Sequence, residues 1–386
     1  MNSAVIVDAV RTPLGRRNGT LKDWHPADLA AETLTGLVER NDLDPGTVDD
    51  VIMGCVSQVG EQTYNIGRNA VLGAGWPESV PGVTLDRQCG SSQQAAHFAA
   101  QGVMAGVYDI AVASGVESMT RVPMGSSFST GPGKPFGDKM RARYHDSLVP
   151  QGISAEIIAD KWDIEREELD QISYDSHARA AAATDEGRFE SQIIPIDVRN
   201  NGDSSSITFD EGIRPTTTVE ALAALKPAFQ EDGKITAGNS SQITDGAASL
   251  LIMSEDKAKA LGLTPKARFL SFSVVGTDPV SMLTGPIPAT EQALAKAGLE
   301  IDDIGLFEIN EAFASVIGAW LRDTGTDWSK VNVNGVAIAL GHPLGASGAR
   351  LMTSLVHEME RSGTRYGLQA MCEGGGTANG TIIELL

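Results

Sequence analysis

Apolar residues recur along this chain with two alternating periods, and the order of alternation repeats. AVIVDAVRT, starting at Ala4, is an apolar run of strand length, and ADLAAETLTGLVERNDL carries its apolar residues at helical spacing. VDDVIMGCV then reads as a strand, CGSSQQAAHFAAQGVMAG as a helix and DIAVASGVESM as a strand. The same order returns near residue 266. ARFLSFSVVGTD reads as a strand, PATEQALAKAGL as a helix and IDDIGLFEIN as a strand. GASGARLMTSLVHEMERSG follows as a helix with Leu351, Met352, Leu355, Val356 and Met359 on one face, and RYGLQAMCEGG as a strand. Laying Cys89 on Gly345 places Val116 on Cys372, helix over helix and strand over strand, so the chain contains a long internal repeat.

Strands alternating with helices in each half predict an α/β fold of mostly parallel sheets covered by helices, with ligands bound outside the carboxyl ends of the strands. The stretch 120–243 fits neither copy. It opens with the Gly/Ser/Pro-rich MGSSFSTGPGKPFGD, continues with helix-forming sequence, and reads as an inserted subdomain placed to cap a shared site. The expected division is therefore residues 1–119 with 244–264 as the first half, 120–243 as the insert and 265–386 as the second half.

Composition agrees and narrows the function classes. A chain of 386 residues, 41% hydrophobic and 21% charged, is long enough for two or more packed units. A net charge of −20 leaves no basic surface for a phosphate backbone or an anionic membrane, so no nucleic-acid or membrane partner is expected. MNSAVIVDAVRT has no basic region ahead of an apolar one, and no run reaches the ~18 apolar residues of a membrane helix. A cytoplasmic location is the expectation. The three cysteines Cys55, Cys89 and Cys372 are too few and scattered for a disulfide framework or a four-thiolate zinc site. No metal is expected.

Cys89, in DRQCGSSQQAAHFAA, stands just before a predicted helix, whose free N–H groups and positive dipole end would favour a thiolate. A buried small residue in a strand-to-helix turn is the alternative reading. The second copy puts three further segments at corresponding strand ends or loops: NEAFA at Asn310, GHPLGASG at His342 and CEGGG at Cys372. His342 sits in a glycine-rich turn, a setting that His25, His97, His145, His177 and His357 lack. Gly374, Gly375 and Gly376 would let backbone N–H groups approach a ligand oxygen, or form a flexible turn.

CGSS, NEAF, GHPLGASG and C-x-GGG, in this order and spacing, resemble the thiolase family over essentially the whole chain. The resemblance implies a duplicated thiolase fold of five αβαβα layers with an inserted loop domain. It implies that Cys89 takes the acyl group, His342 activates it, and Cys372 moves the proton on carbon. Asn310 would hold a water that, with His342, stabilises an enolate oxygen, while the N–H groups of Cys89 and Gly374 form a second oxyanion hole. For CoA, the matching positions are Arg214 near the adenine and phosphates, Ser241 by the pantetheine, and Ala312 and Phe313 along its channel. Coenzyme A and acetyl-CoA are substrates, no cofactor is bound permanently, and relatives assemble as homodimers or homotetramers.

One loop departs from the family pattern. Where many relatives read His-Met-Gly ahead of Thr-Ala-Glu, this chain has Pro150, Gln151, Gly152, Ile153, Ser154, Ala155 and Glu156, so Pro150 and Gln151 are candidates for an altered acyl pocket. GEQTYNIGR, DRQCGSSQQA and CEGGGTANGTIIELL look most like actinobacterial thiolases of steroid-ring degradation. The expected activity is degradative thiolysis of a 3-ketoacyl-CoA of steroid-ring or fatty-acid origin. The alternatives are an acetoacetyl-CoA-forming acetyltransferase, a decarboxylating condensing enzyme of the same superfold, and a non-catalytic acyl-CoA-binding subunit.

Overall fold

The computed structural model describes residues 3–145, 147–200 and 203–386. Met1 and Asn2 of the expected first half, and Asp146, Asn201 and Gly202 of the expected insert, lie outside the described residues. In chain order the strands are β1 (Ala4–Arg11), β2 (Gly15–Arg16), β3 (Asp50–Gly54), β4 (Gly82–Leu85), β5 (Ile110–Ser118), β6 (Ile196–Asn200), β7 (Asp203–Ile207), β8 (Thr244–Ser254), β9 (Ala267–Gly276), β10 (Leu306–Ile309), β11 (Tyr366–Glu373) and β12 (Thr377–Leu385).

The repeat seen in the sequence is a repeat of topology. The first half orders its strands β1-β8-β5-β3, with β4 at the edge, and the second orders them β9-β12-β11-β10. Each has a parallel pair at the equivalent place, β3 with β5 and β10 with β11, and the edge strand β4 adds a second parallel pairing to β3 in the first half. The two runs meet only where Val5 pairs with Arg268 and Ile6 with Ala267, antiparallel. The sheets are mixed rather than mostly parallel. β8 runs antiparallel to both β1 and β5, and β12 antiparallel to both β11 and β9. The reason is connectivity: β12 returns from β11 through a tight turn, and a tight turn can join only antiparallel strands.

Both faces of these sheets are covered, which is why β1 and β8 are buried along their whole length. On β1, Val5 and Val7 face outward onto Leu34 and Leu37 of helix Pro26–Arg40, while Ala4 and Ile6 face inward. Beyond a bulge between Ile6 and Asp8 the parity inverts, so that Ala9 faces inward and Val10 outward. Helices Ser91–Met104 and Ser347–Ser362 lie between the halves and pack on each other and on both sheets. Ala95, Ala99 and Val103 meet Met352, Leu355 and Val356 in a cluster that also holds Ile252 and Phe269. Helices Pro286–Ala297 and Ala314–Thr324 cover the far face of the second half, where Ile317 and Trp320 pack with Phe307 and Leu368. The result is five layers, αβαβα.

Residues between β5 and β8 form helices Gln151–Lys161 and Arg166–Asp185, the β6–β7 hairpin and short helices. Ala155, Ile158 and Leu169 from this stretch share a cluster with Ile317 and Trp320. Glu117, at the end of β5, ties the halves together. One carboxylate oxygen accepts from the Ser57 N–H at 3.0 Å and Gln62 Nε2 at 2.8 Å; the other accepts from the N–H groups of Val56 and Gly345, both at 2.9 Å.

Candidate active site

Cys89 sits in the turn between β4 and helix Ser91–Met104, with Gly90 as N-cap. The residue before it, Gln88, is held at φ 49, a conformation uncommon for a side chain-bearing residue. The turn compensates locally: Gln88 N–H donates to Asp86 Oδ1 at 2.6 Å, and Ser91 Oγ donates to the Gln88 carbonyl at 2.6 Å while accepting the Arg87 N–H at 3.0 Å. Cys89 is thereby fixed, buried among Met119, Val336, Leu344 and Met371.

The N–H groups of Cys89 and Gly374 face its Sγ and favour the thiolate, and Cys89 is close enough to Cys372 for its charge to raise that second thiol. Gly375 and Gly376, at φ 83 and 79, make the tight turn that leaves Gly374 in this place. The thiolate expected from the helix N-terminus is not favoured in the free protein. Burial, followed by the charge of Glu373, pushes the Cys89 thiol up to about 12, outweighing the two N–H bonds. Burial, with Cys89 and Glu373 behind it, also raises Cys372 well above an ordinary thiol. A thiol held protonated in this way can act as a nucleophile only with a base to take its proton.

His342 is buried in the turn before helix Ser347–Ser362. Burial, with Arg350 second, pushes its imidazole down to about 3, so it is neutral at ordinary pH. Its Nε2 lies 3.4 Å from Asn310 Nδ2, and its Nδ1 lies 2.6 Å from Ser347 Oγ. The backbone N–H of His342 is held by Thr244 Oγ1 at 3.1 Å and the Gln242 carbonyl at 3.3 Å. Asn310 Oδ1 is buried with no hydrogen-bond partner among the described residues.

Ser241, Ala312 and Phe313 come together: Ser241 N–H donates to the Ala312 carbonyl at 2.9 Å, and Ser240 bridges Phe313. Phe313 meets Phe229 edge-on at 6.0 Å, and Phe229 packs on Gly152. Arg214 is exposed, its N–H donating to His177 Nδ1 at 3.2 Å, while Gln242 Nε2 bonds the nearby Gly212 carbonyl at 2.9 Å. Gln151 is in the site: its Nε2 would lie 3.4 Å from a Cβ placed on Gly374, beside Gln88. Pro150 is exposed and serves as the N-cap position of helix Gln151–Lys161. Two contributors were missed by sequence reasoning, Ser347 and Glu373. The acidic residue directly after Cys372 in an apolar strand was the available signal. No group of three or more metal-ligating side chains is present among the described residues, and no helix among them is long and apolar enough to cross a membrane.

The chain is similar to known proteins along its whole length. Residues 4–256 match the thiolase N-terminal domain and residues 263–385 the thiolase C-terminal domain. The chain is 50% identical to a steroid 3-ketoacyl-CoA thiolase of Mycobacterium tuberculosis over 394 residues, covering 100% of this chain and 95% of that protein. It is 46% identical to a 3-ketoacyl-CoA thiolase of Pseudoalteromonas translucida, covering 100% of this chain and 99% of that protein. The crystal structure of the Bacillus anthracis acetyl-CoA acetyltransferase superposes with a TM-score of 0.92 at 40% identity, covering 100% of this chain and 99% of that one. Two matching domains in tandem, relatives matched along their whole length and a shared architecture make this chain a member of the thiolase family, and an enzyme.

Proposed function

We propose that the enzyme cleaves a 3-ketoacyl-CoA by thiolysis through an acyl group carried on Cys89. The observation that supports it most is the convergence on one thiol of two N–H donors, Cys89 and Gly374, and a second thiol, Cys372, in a site that also draws on a neutral His342. His342 Nε2 takes the proton of Cys89, and Sγ attacks the 3-keto carbon. The bond between carbons 2 and 3 breaks, its electron pair passes into the enolate of acetyl-CoA, and Cys372 protonates that carbon. The acyl group remains on Cys89 as a thioester. The thiol of free CoA then gives its proton to the Cys372 thiolate, attacks the thioester and releases Cys89, which takes its own proton back from His342.

The N–H groups of Cys89 and Gly374 suit the oxyanion of the thioester, and the unpartnered Asn310 Oδ1 suits a water that serves the enolate oxygen with His342. Arg214, Ser241, Ala312 and Phe313 would hold CoA, with residues 120–243 as the cap. CoA and acyl-CoA are substrates, no permanently bound cofactor is involved, and the protein works as a homodimer or homotetramer. The cytosol, where thiols stay reduced, suits a site built on two of them.

For the acyl group we favour a bulky or polar one derived from ring catabolism. Gln151 beside Gly374 supports this, because an amide facing a plain alkyl chain would be left unpaired, and so does the printed substrate class of the Mycobacterium tuberculosis relative. Thiolysis rates with free CoA should be compared for acetoacetyl-CoA, a straight-chain 3-ketoacyl-CoA and a ring-derived 3-ketoacyl-CoA. A tenfold or greater preference for acetoacetyl-CoA, about 1.4 kcal/mol, would replace this reading with a general acetyl-CoA acetyltransferase.

A further inference from the structure

Cys372, Glu373 and Gly374 are consecutive, and two of them reach Cys89 directly. The third reaches it from behind. The Glu373 carboxyl turns toward Gly90, the residue after the nucleophile, so closely that a Cβ on Gly90 would lie 1.8 Å from Glu373 Oε1. Any side chain at that position would have to displace the Glu373 carboxyl. Glu373 Oε2 accepts from Thr377 Oγ1 at 2.6 Å, across the tight turn joining β11 to β12. Oε1 is buried and has no hydrogen-bond partner among the described residues.

We propose that Glu373 is a positioning residue whose carboxyl charge acts on Cys89 Sγ across Gly90, so that the largest electrostatic restraint on the nucleophile is lifted only while Glu373 is neutral. A buried carboxylate with one oxygen unpaired is costly, whereas the neutral acid is not, so the geometry itself favours the uncharged form. Burial raises the Glu373 carboxyl to about 8, against the opposing pull of the Thr377 hydroxyl and Arg87; Asp86 adds a smaller push upward. Among causes acting on the Cys89 thiol, Glu373 ranks second only to burial.

The ionisable neighbours are few. Arg87 and Asp86 face Glu373 from the turn before the central helix, Cys89 from that turn's end, and Cys372 from its own strand. Glu117 adds a smaller push on Cys89 from β5. Arg87 Nε is buried without a hydrogen-bond partner among the described residues, so no hydrogen bond from that nitrogen quenches the Glu373 charge. Cys89 and Glu373 therefore titrate as a coupled pair: above pH 8 the carboxyl ionises first and holds the thiol in its protonated form to still higher pH.

The proposal rests on Cys89 being the acyl carrier, and its test separates the two. The full-length enzyme without substrate is treated with iodoacetamide between pH 6.5 and 10, and modification of Cys89 is followed by peptide mass spectrometry. Glu373→Gln keeps the shape and an acceptor for Thr377 but carries no charge. The two profiles should coincide below about pH 7 and diverge above pH 8, with the variant alkylated about tenfold faster, as expected for sites coupled by more than a pH unit. Thr377→Val, which removes a donor that stabilises the carboxylate, should shift the profile the same way by less. Superimposable profiles for both variants, or a constant offset at every pH, would overturn the proposal. Acetyl-CoA labelling of the same proteins reports on the carrier separately: no acetyl group on Cys89 removes the thiolysis mechanism, whatever the alkylation profiles show.

Discussion

Ser347 Oγ lies 2.6 Å from His342 Nδ1 and 2.8 Å from the Pro343 carbonyl oxygen. A carbonyl can only accept, so the single hydroxyl proton points to Pro343 and a lone pair faces the imidazole. Nδ1 therefore carries the ring proton, and Nε2, toward Asn310, is left free to act as a base. Ser347→Ala should lower kcat/KM for thiolysis about tenfold or more, a share of the roughly 10² to 10⁴ that a general base contributes. A loss below twofold in steady-state assays would show that the tautomer is set elsewhere.

The two thiols are expected to divide the labour. Cys372→Ser should still exchange the acetyl group between acetyl-CoA and Cys89, because that half-reaction breaks no carbon–carbon bond. Overall thiolysis should fall by roughly 10² to 10⁴. Cys89→Ala should lose both. Acetyl label found on Cys372 and absent from Cys89 in tryptic peptides would reverse the assignment.

Buried His97 accounts for a pH dependence of stability. Its Nε2 is 2.7 Å from Thr381 Oγ1, and burial pushes its pKa down to about 3 from an ordinary 6.5. Between those values the unfolded chain binds a proton that the folded protein refuses, so this group's contribution is complete above pH 6.5 and declines as pH falls toward 3. Buried Glu308 and Glu373, each raised to about 8, act in the opposite direction, so only a difference isolates the histidine. The stability gap between wild type and His97→Gln should narrow by about 1.4 kcal/mol per pH unit below 6.5. Urea unfolding at pH 7.5, 6 and 5 measures it, and a gap independent of pH would contradict the account.

Gln151→Met should move specificity without removing activity. The substitution takes an amide from beside Gly374 and leaves an apolar side chain of similar length. The ratio of kcat/KM for a straight-chain over a ring-derived 3-ketoacyl-CoA should rise about tenfold, or 1.4 kcal/mol. An unchanged ratio would mean that the acyl group is read by other residues.

The periodicity of the chain made most of this molecule legible. Both buried helices, and the strands around them, follow from apolar runs whose spacing is local. The direction of β8 and β12 is not local: it depends on which strands they lie between, and the pattern TDGAASLLIMS is equally compatible with either direction. The same distinction separates the residues proposed for the site. Cys89, His342, Cys372 and Asn310 announce themselves by their turns and glycines. Ser347 and Glu373 become meaningful only through contacts with the Pro343 carbonyl, His342 and Gly90. The thiolate predicted at the helix N-terminus failed for the same reason: neither the depth of burial nor the Glu373 charge can be read from spacing along one segment.

Glu117 makes the duplicated halves a single cooperative unit. Three of the donors to its carboxylate come from the first half and one, the Gly345 N–H, from the second, at the head of the second central helix. Pulling the halves apart would strand a buried charge on one side and an amide on the other. The Gly345 amide should therefore exchange with deuterium only through an opening that also releases Val56 and Ser57, although these lie nearly three hundred residues earlier in the chain.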